Sequence, residues 1–389
     1  MRRIALEDAG AQALRVEPVR DARTLNRFIT LPSTLYRDDP SWIPPLLLER
    51  REHLDPAKNP FFAHAEVALW LVWRGGRCVG RISAQVNHAH LERHRDGAGH
   101  FGFLEAEDDP SVFAALLGTA EAWLAERGMT RVLGPFSLSI NDECGLLIDG
   151  IERPPFLMMG HARPYYADRL EALGYRKAKD LLCYLYDLRS PMPAPMARAL
   201  ERLGQEPALR FRPLNMRRLH DDVHIVMDVF NDAWSDNWGF VPFSEPELAS
   251  LAQNLRLLIR PGFVAIAEID DVPAAVGVSL PNLNEAIADL GGRLLPFGWA
   301  KLLWRLKVRG VKSSRMLLMG VARRYQASAL GMALALGVID RIRVENLRRG
   351  IEVAELSWVL EDNRPVQRII EMLGARRDKI YRIYEKPLT

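Results

Sequence analysis

The sequence predicts a mixed α/β protein built as two tandem copies of one strand-and-helix unit, of which the first copy is degenerate. Three observations carry this. The chain is 389 residues long, past the size at which one hydrophobic core stops growing, so two domains are expected. It repeats itself: at an offset of about 200 residues, Leu170-Glu-Ala-Leu-Gly-Tyr-Arg-Lys-Ala-Lys179 aligns with Ile370-Glu-Met-Leu-Gly-Ala-Arg-Arg-Asp-Lys379, with Glu, Leu, Gly, Arg and Lys in register. At nearly the same offset, Val67-Ala68 and Val79-Gly80 match Val264-Ala265 and Val276-Gly277, each set inside a strand-turn-strand pattern.

In the first copy these strands run from Glu66 to Trp73 and from Arg77 to Val86, around Arg74-Gly75-Gly76. That is a hairpin turn, because glycine tolerates positive φ. Asp270-Asp271 makes the turn in the second copy. Each copy continues as a strand, a helix, a strand, a helix stopped by glycine, and a last strand. The stops are Leu173-Gly174 and Leu373-Gly374, with glycine following the C-cap. Leu181 to Tyr186 and Ile380 to Tyr384 are the last strands, expected to close their own sheets. Between the copies lies Leu188-Arg-Ser-Pro-Met-Pro-Ala-Pro195, whose alternating prolines lack donors and favour an extended linker. The expected boundaries are 1–190 for the first domain, 191–195 for the linker and 196–389 for the second domain.

Composition narrows the function. A content of 48% hydrophobic and 26% charged residues is that of a globular chain rather than a disordered or fibrous one. The net charge of +3 from 52 basic and 49 acidic side chains gives no footprint for nucleic acid, and no such partner is expected. Cys78, Cys144 and Cys183 are far apart and lack CxxC or Cys/His spacing, against a disulfide framework or a zinc site. A reducing cytoplasm fits. Met1-Arg2-Arg3 is followed by Glu7 and Asp8 without an apolar run, unlike a secretory signal. The longest uncharged apolar stretch, Ala327 to Ile339, is too short to cross a bilayer.

In the second copy Arg315 to Val321 reads as a buried strand, followed by Ala322-Arg-Arg-Tyr-Gln-Ala-Ser-Ala-Leu-Gly331 and a long helix to about Arg348. Strand, small-residue turn and helix start together present unpaired N–H groups and the positive end of a helix dipole, a place that suits a pyrophosphate. Here the chain resembles the GNAT (Gcn5-related N-acetyltransferase) superfamily, whose donor loop carries Gln/Arg-x-x-Gly-x-Gly/Ala after its fourth strand. The match is Gln326, Ala327, Ser328, Ala329, Leu330 and Gly331, with Ala329 in place of the first glycine. The resemblance implies acyl-CoA as donor, held by Gly320, Val321 and this loop, and no metal. Taken alone, the loop fits an alanine-rich helix start equally well. Strand Glu352 to Leu360 and Glu361-Asp362-Asn363 resemble the family's fifth strand and the start of its next helix, where Asn363 fits. The tyrosine that often serves there as general acid is missing, and Ile370 stands near its place.

Alternation puts Glu355 and Ser357 on one face of that strand. A buried unpaired carboxylate is costly, so Glu355 has either a structural partner or a catalytic purpose. As general base, directly or through a water placed by Ser357, it would take the proton of an acceptor amine, with burial raising its pKa. The first copy differs: His100 to Leu104 runs into Glu105-Ala-Glu-Asp-Asp-Pro110, whose acids disfavour phosphate at the helix start. This half is expected to help build an acceptor pocket. Candidate contacts are Asn141 and Asp142 within Gly134 to Gly145, and Trp238 within Asn231 to Pro242. Self-capping loops are the alternative. His88, His90 and His94, like His220 and His224, match no metal spacing and read as a solvated helix or loop.

Phe297 to Arg309 mixes Trp299, Leu303 and Trp304 with Lys301, Lys307 and Arg309. It resembles an interfacial helix suited to an anionic membrane; a helix packed between domains is the alternative. Along nearly its whole length the chain also resembles the bacterial ceramide synthase-like proteins, a tandem family. The phrases that carry this include Asp39-Pro40-Ser-Trp42-Ile-Pro-Pro45, Asn59-Pro-Phe-Phe-Ala-His64, Glu355-Leu-Ser-Trp-Val-Leu-Glu-Asp-Asn363 and Lys379-Ile-Tyr-Arg-Ile-Tyr384. That resemblance implies transfer of a fatty acyl group from acyl-CoA to the amine of a sphingoid long-chain base, sphinganine or its 3-oxo form. Two rivals stay open. A Fem-type aminoacyl-tRNA-dependent transferase is disfavoured by the charge, and a non-catalytic acyl-CoA or lipid sensor would accommodate Ala329 and the missing tyrosine.

Overall fold

One thirteen-stranded sheet runs through both halves of the chain. The computed structural model describes residues 13–388, so the N-terminal stretch weighed above as a signal lies outside the described residues. The first half contributes β1 (Leu14–Pro18), β2 (Ala65–Arg74), β3 (Arg77–Asn87), β4 (Ala98–Ala106), β5 (Arg131–Gly134), β6 (Leu146–Asp149) and β7 (Arg176–Asp187). The second contributes β8 (Leu209–Pro213), β9 (Val264–Ile269), β10 (Val272–Pro281), β11 (Ser313–Val321), β12 (Val353–Leu360) and β13 (Arg376–Pro387). Both expected hairpins are present. Their turn residues, Gly75, Gly76, Asp270 and Asp271, all have left-handed φ values between 49° and 81°, the geometry that matches the twist of paired strands.

The strand order is β1-β2-β3-β4-β5-β13-β7-β12-β11-β10-β9-β8, with β6 also beside β13. The last strands therefore do not close their own sheets, as the sequence pattern implied. They are exchanged. β7, from the first half, lies between β12 and β13, both from the second. β13, from the second half, has β5, β6 and β7 of the first as its neighbours. The cores follow: Tyr381, Ile383 and Tyr384 of β13 are buried in the first half's core, and Leu182, Tyr184 and Tyr186 of β7 in the second's. Full burial of one such side chain contributes roughly 1.5–3 kcal/mol, so each half depends on a strand from the other. Strand periodicity sets which face a residue occupies but not which neighbour it pairs with, and nothing local in either last strand specifies its partner.

The proline-rich stretch is not extended throughout. Pro193 caps a helix, Ala194–Leu203, and Pro195 sits in its first turn, where a missing N–H is harmless. Around the second half's strands, Val264, Ile266, Val276 and Val278 pack beneath the helix Leu219–Trp234. The alternate residues Ala265, Ala267 and Ala275 face the helix Ala329–Arg348 on the other side. Among the described residues no helix is long and apolar enough to cross a membrane.

Strand exchange predicts that residues 1–193 and 194–389 fail to give soluble monomers when expressed separately, yet recover solubility when co-expressed. The intact chain should unfold in urea as one cooperative transition. Independent reversible unfolding of either isolated half would contradict this.

Candidate functional site

β11 and β12 begin side by side and then part. Ser313–Met316 pair in parallel with Val353–Leu356, beyond which β11 keeps only β10 and β12 keeps only β7. Trp234 bridges the opening: its Nε1 donates to the Met319 carbonyl at 2.8 Å, and its ring meets Trp358 edge-on at 5.5 Å. The parted edge of β11 runs directly into the expected donor loop.

That loop turns through Arg323–Tyr325, places Ala327 at a φ of 55°, and starts the long helix at Ala329. Ser328 caps the helix, its Oγ accepting from the Gly331 amide at 2.9 Å. The Gly331 amide is therefore already used, whereas the amides of Ala329 and Leu330 have no hydrogen-bond partner among the described residues. Residues Gln326 to Leu330 are exposed. Gln326 folds inward, donating Nε2 to the Val321 carbonyl at 2.9 Å. Glycine is required at Gly331 for packing: a Cβ there would lie 2.1 Å from the Tyr325 carbonyl oxygen. Gly320 likewise lets the helix Leu219–Trp234 approach, with a Cβ only 3.0 Å from that of Ala233.

Glu355 and Ser357 are brought together as expected. Ser357 donates to Glu355 Oε1 at 2.6 Å and accepts from Arg315 Nε at 2.8 Å. Arg315 also donates to the Leu157 carbonyl at 2.7 Å, so a first-half loop covers the cluster. Glu355 is 0% exposed, and its Oε2 has no partner among the described residues. Burial pushes its carboxyl up, against the pull of Arg315 and Ser357. Asn363 is a helix cap, accepting from the Val366 amide at 3.4 Å, and is not part of this cluster's bonding. Arg315, the first residue of the strand read as buried, was missed because its acceptors, Ser357 and the Leu157 and Met158 carbonyls, lie far away in sequence.

In the first half the equivalent opening is plugged. β4 and β5 pair in parallel over Ala98–His100 and Arg131–Leu133, after which the chain from Pro135 to Gly145 folds into the gap. Gln85 Nε2 holds it, donating to the carbonyls of Phe136 at 2.7 Å and Leu138 at 3.1 Å. Gly102 is needed there, since a Cβ would lie 1.7 Å from the Phe136 carbonyl oxygen. The acids at that helix start are already engaged: Glu105 accepts from Tyr36 and Tyr166 and lies 3.7 Å from Arg81, and Asp109 caps the helix Pro110–Ala125 and pairs with Arg74.

Between the halves lies a cavity of about 650 Å³ lined by His90, His94, Asp96, His100, Arg131 and Trp238 among others. Its cover is the second-half loop 235–241, which receives hydrogen bonds from Arg93 to the Ser235 carbonyl and from Asn141 to the Val241 carbonyl. The same loop meets the donor loop, through an ion pair of Asp236 with Arg323 at 2.7 Å. Trp238 thus lines the cavity and Asn141 fastens its lid. Asp142 braces its own turn, accepting from the Ser139 amide and hydroxyl, with burial raising its carboxyl. The solvated reading of the histidines fails for His90, which is buried and contacts Asp96 at 3.2 Å. Its carboxylate partner stands six residues on, beyond the short helix His88–His94. Burial pushes the imidazoles of His90 and His100 down, towards the neutral form. Among the described residues no His, Cys, Asp and Glu cluster could hold a metal.

The chain is 48% identical over 377 residues to the protein named bacterial ceramide synthase of Caulobacter vibrioides, covering 96% of this chain and 98% of the relative. The chain belongs to the bacterial ceramide synthase family. It is also 48% identical over 366 residues to protein YghO of Escherichia coli K12, covering 94% and 93% respectively. No family model matches. Among solved structures, a tandem GNAT protein from the clavulanic acid biosynthesis pathway superposes with a TM-score of 0.57 at 14% identity, covering 97% of this chain and 99% of that one. A GCN5-related N-acetyltransferase from Sphaerobacter thermophilus gives 0.54 at 13%, covering 96% of both. The fold is thus that of tandem GNAT proteins, and this member of the bacterial ceramide synthase family is an N-acyltransferase, not a sensor without catalysis.

The contact at Gly331 predicts that Gly331→Ala destabilises the protein by about 1–3 kcal/mol. Ala329→Gly, at an open position, should cost no more than about 1 kcal/mol. Urea unfolding of both variants checks this, and equal effects would contradict the close approach.

Proposed function

We propose that the protein transfers a fatty acyl group from acyl-CoA to the primary amine of a sphingoid long-chain base, sphinganine or 3-oxosphinganine, giving a ceramide-type lipid and free CoA. The observation that carries this reading is the parting of β11 from β12 beside an open helix start, in a chain so close to a named ceramide synthase. The Ala329 and Leu330 amides and the helix dipole suit the donor's phosphates, with Gln326, Ala327, Ser328 and Gly331 shaping the loop. The free edge of β11 up to Gly320 and Val321 offers backbone groups to the amide-bearing arm of CoA, in the manner of an added strand.

The amine attacks the thioester carbonyl, the C–N bond forms as the C–S bond breaks, and the proton that the nitrogen sheds on becoming an amide goes to the departing sulfur, so that CoA leaves as the thiol. The attacking ammonium must first lose a proton. Glu355 is sealed, but Ser357 stands between it and the parted strands with one lone pair unused, so the proton passes through the Ser357 hydroxyl to the carboxylate. The cavity beside Trp238, under the lid held by Asn141, receives the polar head of the lipid amine. Asp142 holds the turn that positions Asn141, and Asn363 fixes the helix after β12.

Purified protein given palmitoyl-CoA and either sphinganine or 3-oxosphinganine should form amide and free CoA by mass spectrometry. Saturable acyl-CoA binding without amide would replace the acceptor. Ala329→Glu should raise KM for acyl-CoA about tenfold while leaving the fold intact, because a carboxylate favours a helix start as much as it repels phosphate. For Glu355→Gln a loss of about 10²–10⁴ in kcat is expected. Because burial raises its pKa and a base works only when ionised, wild-type kcat should fall as pH drops through that raised value. Persistence of this acid limb in Glu355→Gln would exclude Glu355 as the base.

A further inference from the structure

We propose that the connection between β10 and β11 is a docking surface for an anionic lipid bilayer. It runs from Asn282 to Lys312 and contains the helix Gly298–Trp304 and a wider turn, Arg305–Arg309. Only part of it serves the core: Leu302 is buried, and Asp289 holds the segment by accepting from Lys301 and Arg305, each at 2.6 Å. The rest faces outward. Leu295 is 79% exposed, Phe297 77% and Val308 73%, with Trp299 and Trp304 half exposed. Trp299 and Leu303 are one helical turn apart, as are Trp304 and Val308, so the exposed apolar groups form two short rows on the outward part of the segment, preceded in the chain by Leu295 and Phe297. An outward patch of this make-up is exceptional on a protein surface and marks a contact.

Charge selects the occupant. Arg293, Lys307 and Arg309 are exposed beside the patch, and none has a carboxylate within 4.0 Å among the described residues. A second copy of the chain docked symmetrically would set these cations against their own equivalents. An anionic lipid surface satisfies them, while the indoles take the headgroup level and Phe297, Leu295 and Val308 the acyl boundary. Placement agrees. The patch adjoins the start of β11 and the donor loop follows its end, nine residues on, so roughly 25–30 Å of strand separates them. With the patch on a bilayer, the donor loop stays in water, where the head of CoA is found.

The test uses the full chain and vesicles without substrate, so it is independent of which amine is acylated. Wild type should sediment with vesicles of phosphatidylcholine and phosphatidylglycerol and much less with phosphatidylcholine alone, with blue-shifted tryptophan emission. Phe297→Ser with Trp304→Ser, and separately Lys307→Glu with Arg309→Glu, should each weaken binding at least tenfold. Both pairs are exposed, and circular dichroism should show an unchanged fold. Wild type left in the supernatant at low salt, or double variants that bind as wild type does, would overturn the proposal. So would a self-association in sedimentation velocity that the same substitutions abolish, which would assign the patch to a second copy.

Discussion

The exchange of β7 and β13 is the constraint on which the rest of the molecule depends. In a sheet where every strand pairs with its own half, two sites could mature independently. Here β12, one wall of the parted strands, leans on β7 from the other half, and β7 is itself flanked by β13. The wall cannot be set until both halves are in place. Large, fully buried aromatics on the exchanged strands, such as Tyr186 and Tyr384, make this a matter of core packing and not only of hydrogen bonds.

Given one architecture used twice, the two openings differ in what fills them. The first is plugged by main chain, whose carbonyls are bound by Gln85 and whose approach is so close that Gly102 admits no side chain. Removing such a plug would expose buried amide groups and break several bonds together. The second is bridged by the side chains of Trp234 and Trp358, joined to β11 through the indole hydrogen bond of Trp234. Side chains can change rotamer without unfolding a strand. Clearing the second opening therefore disturbs far less structure than clearing the first. Carboxylates at the first half's helix start, each already paired, contribute little to that difference.

Much of this was legible in the sequence. The repeat, both hairpins, the glycine stops and the turn from strand to long helix at Gln326 to Gly331 were readable because they rest on local requirements: positive φ at Gly75 and Gly76, a cap at Ser328, a small residue at Gly331. The Glu355 and Ser357 pairing followed from strand alternation. What was not legible is what distance in sequence hides. Strand exchange leaves no local mark, since the alternation in β7 and β13 fixes faces but not partners. The His90 and Asp96 contact crosses the end of a short helix and was obscured by treating the histidines as a group of three. Pro195 was read as linker because a proline in a helix's first turn looks the same as one in a coil.

The buried trio Arg315, Ser357 and Glu355 shows how the first half supports a polar cluster in the second. Arg315 lies 3.9 Å from Glu355, too far for a direct hydrogen bond, so its charge steadies the carboxylate mainly through the Ser357 hydroxyl. A guanidinium buried this way needs acceptors of its own, and it finds them in the carbonyls of Leu157 and Met158. Those carbonyls belong to a first-half loop that is itself fastened from the second half, by Asn282 accepting from the Leu157 amide and Asn284 donating to the Pro155 and Phe156 carbonyls. If the loop lifted, Arg315 would lose its acceptors, water would reach Glu355, and the burial that raises its pKa would be relieved. The proton affinity of Glu355 is thus set by contacts that cross between halves, so the environment of this carboxylate belongs to neither copy alone.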